Sequence, residues 1–289
     1  MIRPQACPSE FGFLALTKLM RYRQLRERGL MSSCPELLDG IEAEEHVVQL
    51  YGSDDRLLTQ NVGRFLSEGL KRGDGILVIA TLQHRSTLRR RLTEEASYSS
   101  AVLEGRLVFL DAEVTLGRLM LDGVLDQERF HAVVGEALTG VRKRARHSRV
   151  RAYGEMVGLL WKAGAHEAAV KLERVWNEML RNSEASLFCA YPIDVFGPDF
   201  QPEKIDELLC SHTHLLPLES GLEEALGRAM QEVLGPRLDG LRESMRANHR
   251  PAWGKVPAAE ALVLWLRNNL PDTADQILAR AREYYRRAS

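Results

Sequence analysis

The chain has 289 residues, 45% of them hydrophobic, enough apolar material for one large domain or a medium domain with appendages. Its 39 basic and 40 acidic side chains leave a formal charge of -1, so no overall field recruits nucleic acid or anionic membrane. The four cysteines, Cys7, Cys34, Cys189 and Cys210, form no Cys-x-x-Cys pair and read as reduced thiols rather than a disulfide framework or zinc knuckle. No apolar run nears the roughly 18 residues that span a bilayer, so a cytoplasmic protein with no membrane partner is expected.

Residues 1–44 stand apart from the rest. A short apolar patch over 11–16 is followed by Lys18, Arg21, Arg23, Arg26 and Arg28 and then a Ser-Ser-Cys-Pro break. The segment reads as a leader, flexible or helical, rather than a DNA-binding arm, because no second helix of a helix-turn-helix follows it. Regular organisation begins with a strand over 46–51 and a Gly52-Ser53-Asp54 turn that caps a helix running to Arg72. The next strand, 76–81, is apolar on both faces, as a central parallel strand covered by helices should be. A helix over 83–96 and a strand over 107–111 come next, then one or two helices across 114–146 interrupted near Gly123 and Asp126. A strand over 150–157, an amphipathic helix over 165–182 and a strand over 186–193 complete the alternation, closed by Pro192 and the turn Phe196-Gly197-Pro198-Asp199. Beyond 217 only helices are predicted, over 222–234, 237–248, 258–270 and 273–287. Strands separated by helix-length segments predict an α/β fold, a mostly parallel central sheet flanked by helices, with an α-helical C-terminal extension. The divisions are a leader over 1–44, the α/β part over 45–217 and the extension over 218–289.

Ligands of open parallel sheets settle beyond the strands' carboxyl ends. Here those ends offer 51–55, 81–84, 111–113, 155–161 and 191–194, and from them Tyr51, Asp54, Thr81, Glu155, Trp161 and Tyr191 are the candidate ligand-binding residues. His46 opens the first strand; alone it reads as a satisfied structural residue, and beside Tyr51 on the same short element as part of a polar pocket wall. This aromatic and acidic set suits a small neutral or cationic organic molecule better than a phosphate. The loop after the first strand, Tyr51-Gly52-Ser53-Asp54-Asp55-Arg56, lacks the Gly-x-x-x-x-Gly-Lys-Ser/Thr pattern that cradles phosphates. No cofactor is expected and no catalytic residue is assigned. Glu155 reads as a general base, a ligand acceptor or the partner of a buried arginine, while core packing is the default for Trp161. Cys210, His212 and His214 have zinc-like chemistry and would share one face of an extended segment. A fourth ligand is not evident, so this corner reads as capping or packing rather than a metal site. Tyr191-Pro192 reads either as a cis peptide or as an extended stop.

The order and spacing of His46-Val47-Val48-Gln49-Leu50-Tyr51, Gly73-Asp74-Gly75-Ile76-Leu77-Val78-Ile79-Ala80-Thr81, Tyr153-Gly154-Glu155-Met156-Val157, Trp176-Asn177 and Phe188-Cys189-Ala190-Tyr191-Pro192 resemble the MEDS family, the methanogen/methylotroph, DcmR sensory domain. The resemblance covers about residues 44 to 216. It implies a KaiC/RecA-like core with degenerate nucleotide motifs, a role in sensing small molecules, hydrocarbon derivatives among them, and a ligand region near His46, Tyr51, Glu155 and Tyr191. The leading expectation is a non-catalytic sensor for signal transduction that relays a small organic ligand to a signalling partner through the C-terminal helices. One alternative is a degenerate KaiC-like nucleotide-binding protein or ATPase with Glu155 or Asp111 as base. Another is a DNA-bound regulator of transcription, although nucleic acid is not the expected partner. The amphipathic helices also allow a homodimer seam.

Overall fold

A computed structural model describes residues 34–218, 221–241 and 256–288. The expectations for residues 1–33 and the distal half of the predicted 237–248 helix lie outside these residues. Among the described residues there are eight strands: β1 (His46–Leu50), β2 (Gly75–Ala80), β3 (Leu107–Asp111), β4 (Met120–Leu121), β5 (Val124–Leu125), β6 (Val150–Gly154), β7 (Ala185–Tyr191) and β8 (His214–Leu215). Six form one sheet in the order β3-β2-β6-β7-β1-β8, every pair parallel, while β4 and β5 make a separate antiparallel hairpin. The fold is therefore α/β, as expected from the alternation of strand-length and helix-length segments.

Every residue of β1, β2, β6 and β7 is buried, because helices cover both faces of the sheet. Strand alternation then sorts neighbouring residues into two cores. Val48, Leu50, Leu187, Cys189 and Tyr191 join the first core with the helices Met156–Lys162 and His166–Arg181. Val47, Val78, Tyr153, Phe188 and Ala190 join the second with the helices Arg56–Arg72 and Leu82–Leu92. The first core also takes in Trp265, Ile277 and other residues of the helices Leu222–Leu234, Ala258–Asn269 and Pro271–Ala288, so the helical extension packs into the same apolar cluster as the sheet. No described helix is long and apolar enough to cross a membrane.

Three local differences from the sequence reading have physical causes. The helix ending at Arg72 begins at Arg56 with Asp55 as its N-cap, and that residue makes no side-chain capping bond because its carboxylate is engaged elsewhere. The interruption near Gly123 is a hairpin turning on Asp122 (φ 50°) and Gly123 (φ 78°), the Asp-Gly pair that accepts two positive φ values in a two-residue loop. β8 is only two residues long and was too short to register as a strand. Tyr191-Pro192 is trans.

Helix Met156–Lys162 lies tight against β7 at Gly158, where an added Cβ would stand 2.6 Å from the Ala190 carbonyl oxygen. Backbone must move to admit it. Gly158→Ala is therefore expected to destabilise the protein by about 1–3 kcal/mol despite the better helix propensity of alanine. Equilibrium urea unfolding checks this, with the expected sign being a lower midpoint.

Candidate functional site

Polar side chains on strands buried from both sides must find partners inside the protein, and the structure gathers them into two networks. The first lies at the carboxyl ends of β1, β2 and β6, on the side of the second core. His84, on the helix that follows β2, is its centre: Nδ1 bonds Glu155 Oε1 and Nε2 lies 2.9 Å from Asp55 Oδ2. Since both ring nitrogens face carboxylates, both carry protons. Tyr153, two residues before Glu155 on the same strand face, donates its hydroxyl to Oε1, and the Thr81 backbone N–H donates to Glu155 Oε2 at 2.6 Å. Gln83 Nε2 donates to Asp55 Oδ2 at 3.0 Å, and the Tyr51 ring stands edge-on to His84 at 6.1 Å. Burial works against the His84 charge, but hydrogen bonds and charge from Glu155 and then Asp55 outweigh it and raise its pKa from 6.5 to about 9. Burial, reinforced by Glu155 and Asp55, raises the Tyr51 hydroxyl, which stays protonated.

The second network lies on the opposite face. It joins His46 of β1, Cys189 and Tyr191 of β7, Glu173 and Asn177 of helix His166–Arg181, and His212 just beyond helix Pro202–Ser211. Tyr191 donates to Glu173 Oε1 at 2.6 Å, and His46 Nε2 lies 3.3 Å from Glu173 Oε2 and 3.2 Å from Cys189 Sγ. Burial and the neighbouring His212 push His46 down to about 3, so it is neutral. Burial opposes the Glu173 charge, but its polar neighbours, the donating Tyr191 hydroxyl among them, outweigh it and hold the carboxyl at about 2. Burial and Glu173 raise the Cys189 thiol. Among the described residues this is the set with metal-ligand chemistry.

The sequence-derived candidates thus separate. Tyr51, Thr81 and Glu155 meet at the strand ends, Thr81 through its backbone N–H. His46 and Tyr191 do not join them: His46 and Tyr51 are five positions apart on one strand and so point to opposite faces. Trp161 is buried in the first core, stacked on His166 at 4.2 Å and edge-on to Tyr191 at 5.5 Å. Asp54 is an exposed partner of Arg56 and takes no part in the network. Cys210, His212 and His214 do not assemble, because Cys210 is still helical and the expected extended alternation does not reach it. Its sulfur is disulfide-bonded, contrary to the reduced thiol read from the spacing. His214 turns to Glu45 at 3.2 Å, leaving His212 alone to face inward.

Glu173 was not singled out by the sequence, Asn177 entered only within the Trp176-Asn177 motif of the resemblance, and His84 only as the end of the 81–84 segment. Glu173 carried a signal: Ala169, Leu172, Trp176 and Leu180 define the buried stripe of its helix, and Glu173 falls on it. His84 carried none beyond lying near a strand end.

The raised His84 pKa makes stability pH-dependent. Its contribution is complete below the unfolded value of 6.5 and is lost as pH rises through about 9; the ceiling on that contribution is about 3 kcal/mol. Urea unfolding at a series of pH values is expected to show wild type losing stability over that window, with the loss much reduced in His84→Gln.

The family model of the MEthanogen/methylotroph, DcmR Sensory domain matches residues 45–213, from the residue before β1 to the residue before β8. No curated protein and no solved structure matches the chain. The matched segment holds both polar networks and more than half of the sequence, and the chain therefore belongs to the MEDS family of sensory domains.

Proposed function

We propose that the protein is a non-catalytic sensor that binds a small organic molecule at the carboxyl ends of β1, β2 and β6 and relays its presence to a signalling partner through the C-terminal helices. The observation that carries this reading is a charged His84 held between Glu155 and Asp55, edge-on to Tyr51, at the sheet end where Leu82 and Val114 leave apolar surface 67% and 64% exposed. Polar groups beside uncovered apolar surface suit a ligand with a short hydrocarbon part and one polar atom. Phosphate is disfavoured there. The loop after β1 presents Asp54 and Asp55, and its Arg56 is paired with Asp54 at 2.6 Å. Glu155 has both oxygens engaged, which favours a fixed positioning role over that of a general base.

A route for relay runs through the loop after β7. Asp194 packs beside Gly52, the residue after Tyr51, and pairs with Arg282 of the last helix at 2.5 Å. Arg267 donates to the Phe196 and Gly197 carbonyls at 3.2 and 2.8 Å, and Phe196 packs on Tyr285 at 5.7 Å. A ligand that moves the Tyr51 loop would thereby shift the seating of the last two helices, provided that it binds the two seatings with different affinity.

Native mass spectrometry of the full chain purified from its own host, with a denatured run in parallel, tests the ligand. A small organic molecule retained in wild type and lost in Glu155→Gln is the expected result; a retained nucleotide, or an organic molecule unaffected by Glu155→Gln, contradicts the reading. The Arg282–Asp194 pair is solvent-accessible, so Arg282→Ala should cost no more than about 1 kcal/mol of stability. In hydrogen exchange the same substitution should abolish ligand-dependent protection of the last helix while leaving that of the β1–helix loop.

A further inference from the structure

In the second network, amide and backbone acceptors hold the Nδ1 side of both imidazoles. Asn177 Nδ2 donates to the Ser211 carbonyl at 2.8 Å, which fixes the amide so that Oδ1 faces His46 Nδ1 at 3.0 Å. Oδ1 only accepts, so His46 carries its proton on Nδ1. Likewise the Leu208 carbonyl lies 2.7 Å from His212 Nδ1 and fixes that proton too. Both Nε2 atoms turn toward Glu173, each 3.3 Å from a carboxylate oxygen, and His46 Nε2 also lies 3.2 Å from the Cys189 thiol, which can donate to it. His212 Nε2 is fully buried and has no hydrogen-bond partner. A cation among these atoms would engage this unpartnered nitrogen together with His46, Glu173 and the Cys189 sulfur, replacing the thiol proton.

The spacing matches such a cation. Metal–nitrogen or –oxygen bonds near 2.0–2.1 Å and metal–sulfur bonds near 2.3 Å place tetrahedral ligands about 3.3–3.7 Å apart. Here His46 Nε2 to Cys189 Sγ is 3.2 Å, His46 Nε2 to Glu173 Oε2 is 3.3 Å and Cys189 Sγ to Glu173 Oε2 is 3.7 Å, with all four ligand atoms within 4.8 Å of one another. The imidazole N–H groups bonded to Asn177 and Leu208, and the Tyr191 hydroxyl on Glu173, are the outer partners that orient histidine and carboxylate ligands on a metal. A thiolate and a carboxylate with two neutral imidazoles balance a 2+ charge. The ligand residues are 0–3% exposed, which leaves no opening for substrate.

We propose that His46, Glu173, Cys189 and His212 bind one divalent transition-metal ion, zinc by the donor set, in a closed structural site. The ligands come from the first strand of the matched domain, the helix that precedes β7, β7 itself and the closing corner. The ion thereby clasps the two ends of the domain, and binding releases the Cys189 thiol proton to solvent. This site lies on the other face of the sheet from the ligand region and does not depend on the sensor reading.

The full chain, expressed with zinc in the medium and purified without chelators, should carry about one zinc per molecule, and X-ray absorption should show one sulfur at about 2.3 Å among lighter donors near 2.0 Å. Cobalt reconstitution should give a thiolate-to-metal charge-transfer band. Asn177→Ala should weaken zinc binding about 10–100-fold, and Cys189→Ser should remove the sulfur from the metal shell. A wild-type chain that takes up neither zinc nor cobalt overturns the proposal, as does a metal shell without sulfur. The same sulfur-containing shell retained in a folded Cys189→Ser chain overturns it too. Should that variant not fold, the wild-type absorption spectrum and the Asn177→Ala affinity still decide.

Discussion

A parallel sheet covered by helices on both faces has no solvent-facing side, so each polar residue on its central strands must be satisfied from within. That constraint organises this protein. β1, β6 and β7 nevertheless carry His46, Gln49, Tyr153, Cys189 and Tyr191, and Glu155 follows directly on β6; all six are buried. Most of the chemistry described above is the compensation these residues require. Gln49 is the simple case, accepting from Asn61 of the covering helix at 3.1 Å. The others collect into networks, because one buried carboxylate can accept several bonds and each new donor stabilises its charge.

Which network a residue joins follows from its parity along the strand. Tyr153 and Glu155 are two apart and share a carboxylate on one face; Cys189 and Tyr191 are two apart and share Glu173 on the other. The two sites differ in charge logic. At the strand ends, a histidine with a carboxylate on each side keeps its proton, and Asp55 and Tyr51 stay partly exposed, so the network can respond to what arrives there. Across the sheet, two histidines held at Nδ1 turn Nε2 toward one sealed carboxylate. One network faces outward and the other is sealed within the core.

The alternation of apolar strands and amphipathic helices was legible in the sequence from 46 to 193, and four of the five predicted strands overlap the observed ones to within about two residues at either end. The exception was 150–157, whose last residues belong to a helix starting at Met156; the pattern ran on because Met156 and Val157 are apolar in either state. Of the residues expected at the strand ends, Tyr51 and Glu155 meet around His84. What could not be read was the partner of each polar residue. His84 reaches Glu155 from another crossover, 71 positions away in sequence, and Glu173 reaches His46 and His212 only once the helix has been laid across β1 and β7. The grouping of His46 with Tyr51 failed for a simpler reason, since an odd separation on a strand reverses the face. His212 was noticed for its neighbours Cys210 and His214, whereas its true companions are remote in sequence.

Both networks turn on where three protons sit, and imidazole nitrogen NMR of the full chain near neutral pH observes them directly. His84 is predicted to show two protonated nitrogens, and His46 and His212 to keep a proton on Nδ1 and none on Nε2, as ligation at Nε2 requires. A neutral His84 would remove the charged centre of the strand-end network. A proton on Nε2 of either His46 or His212 would leave that nitrogen unable to bind a metal and contradict the buried cation.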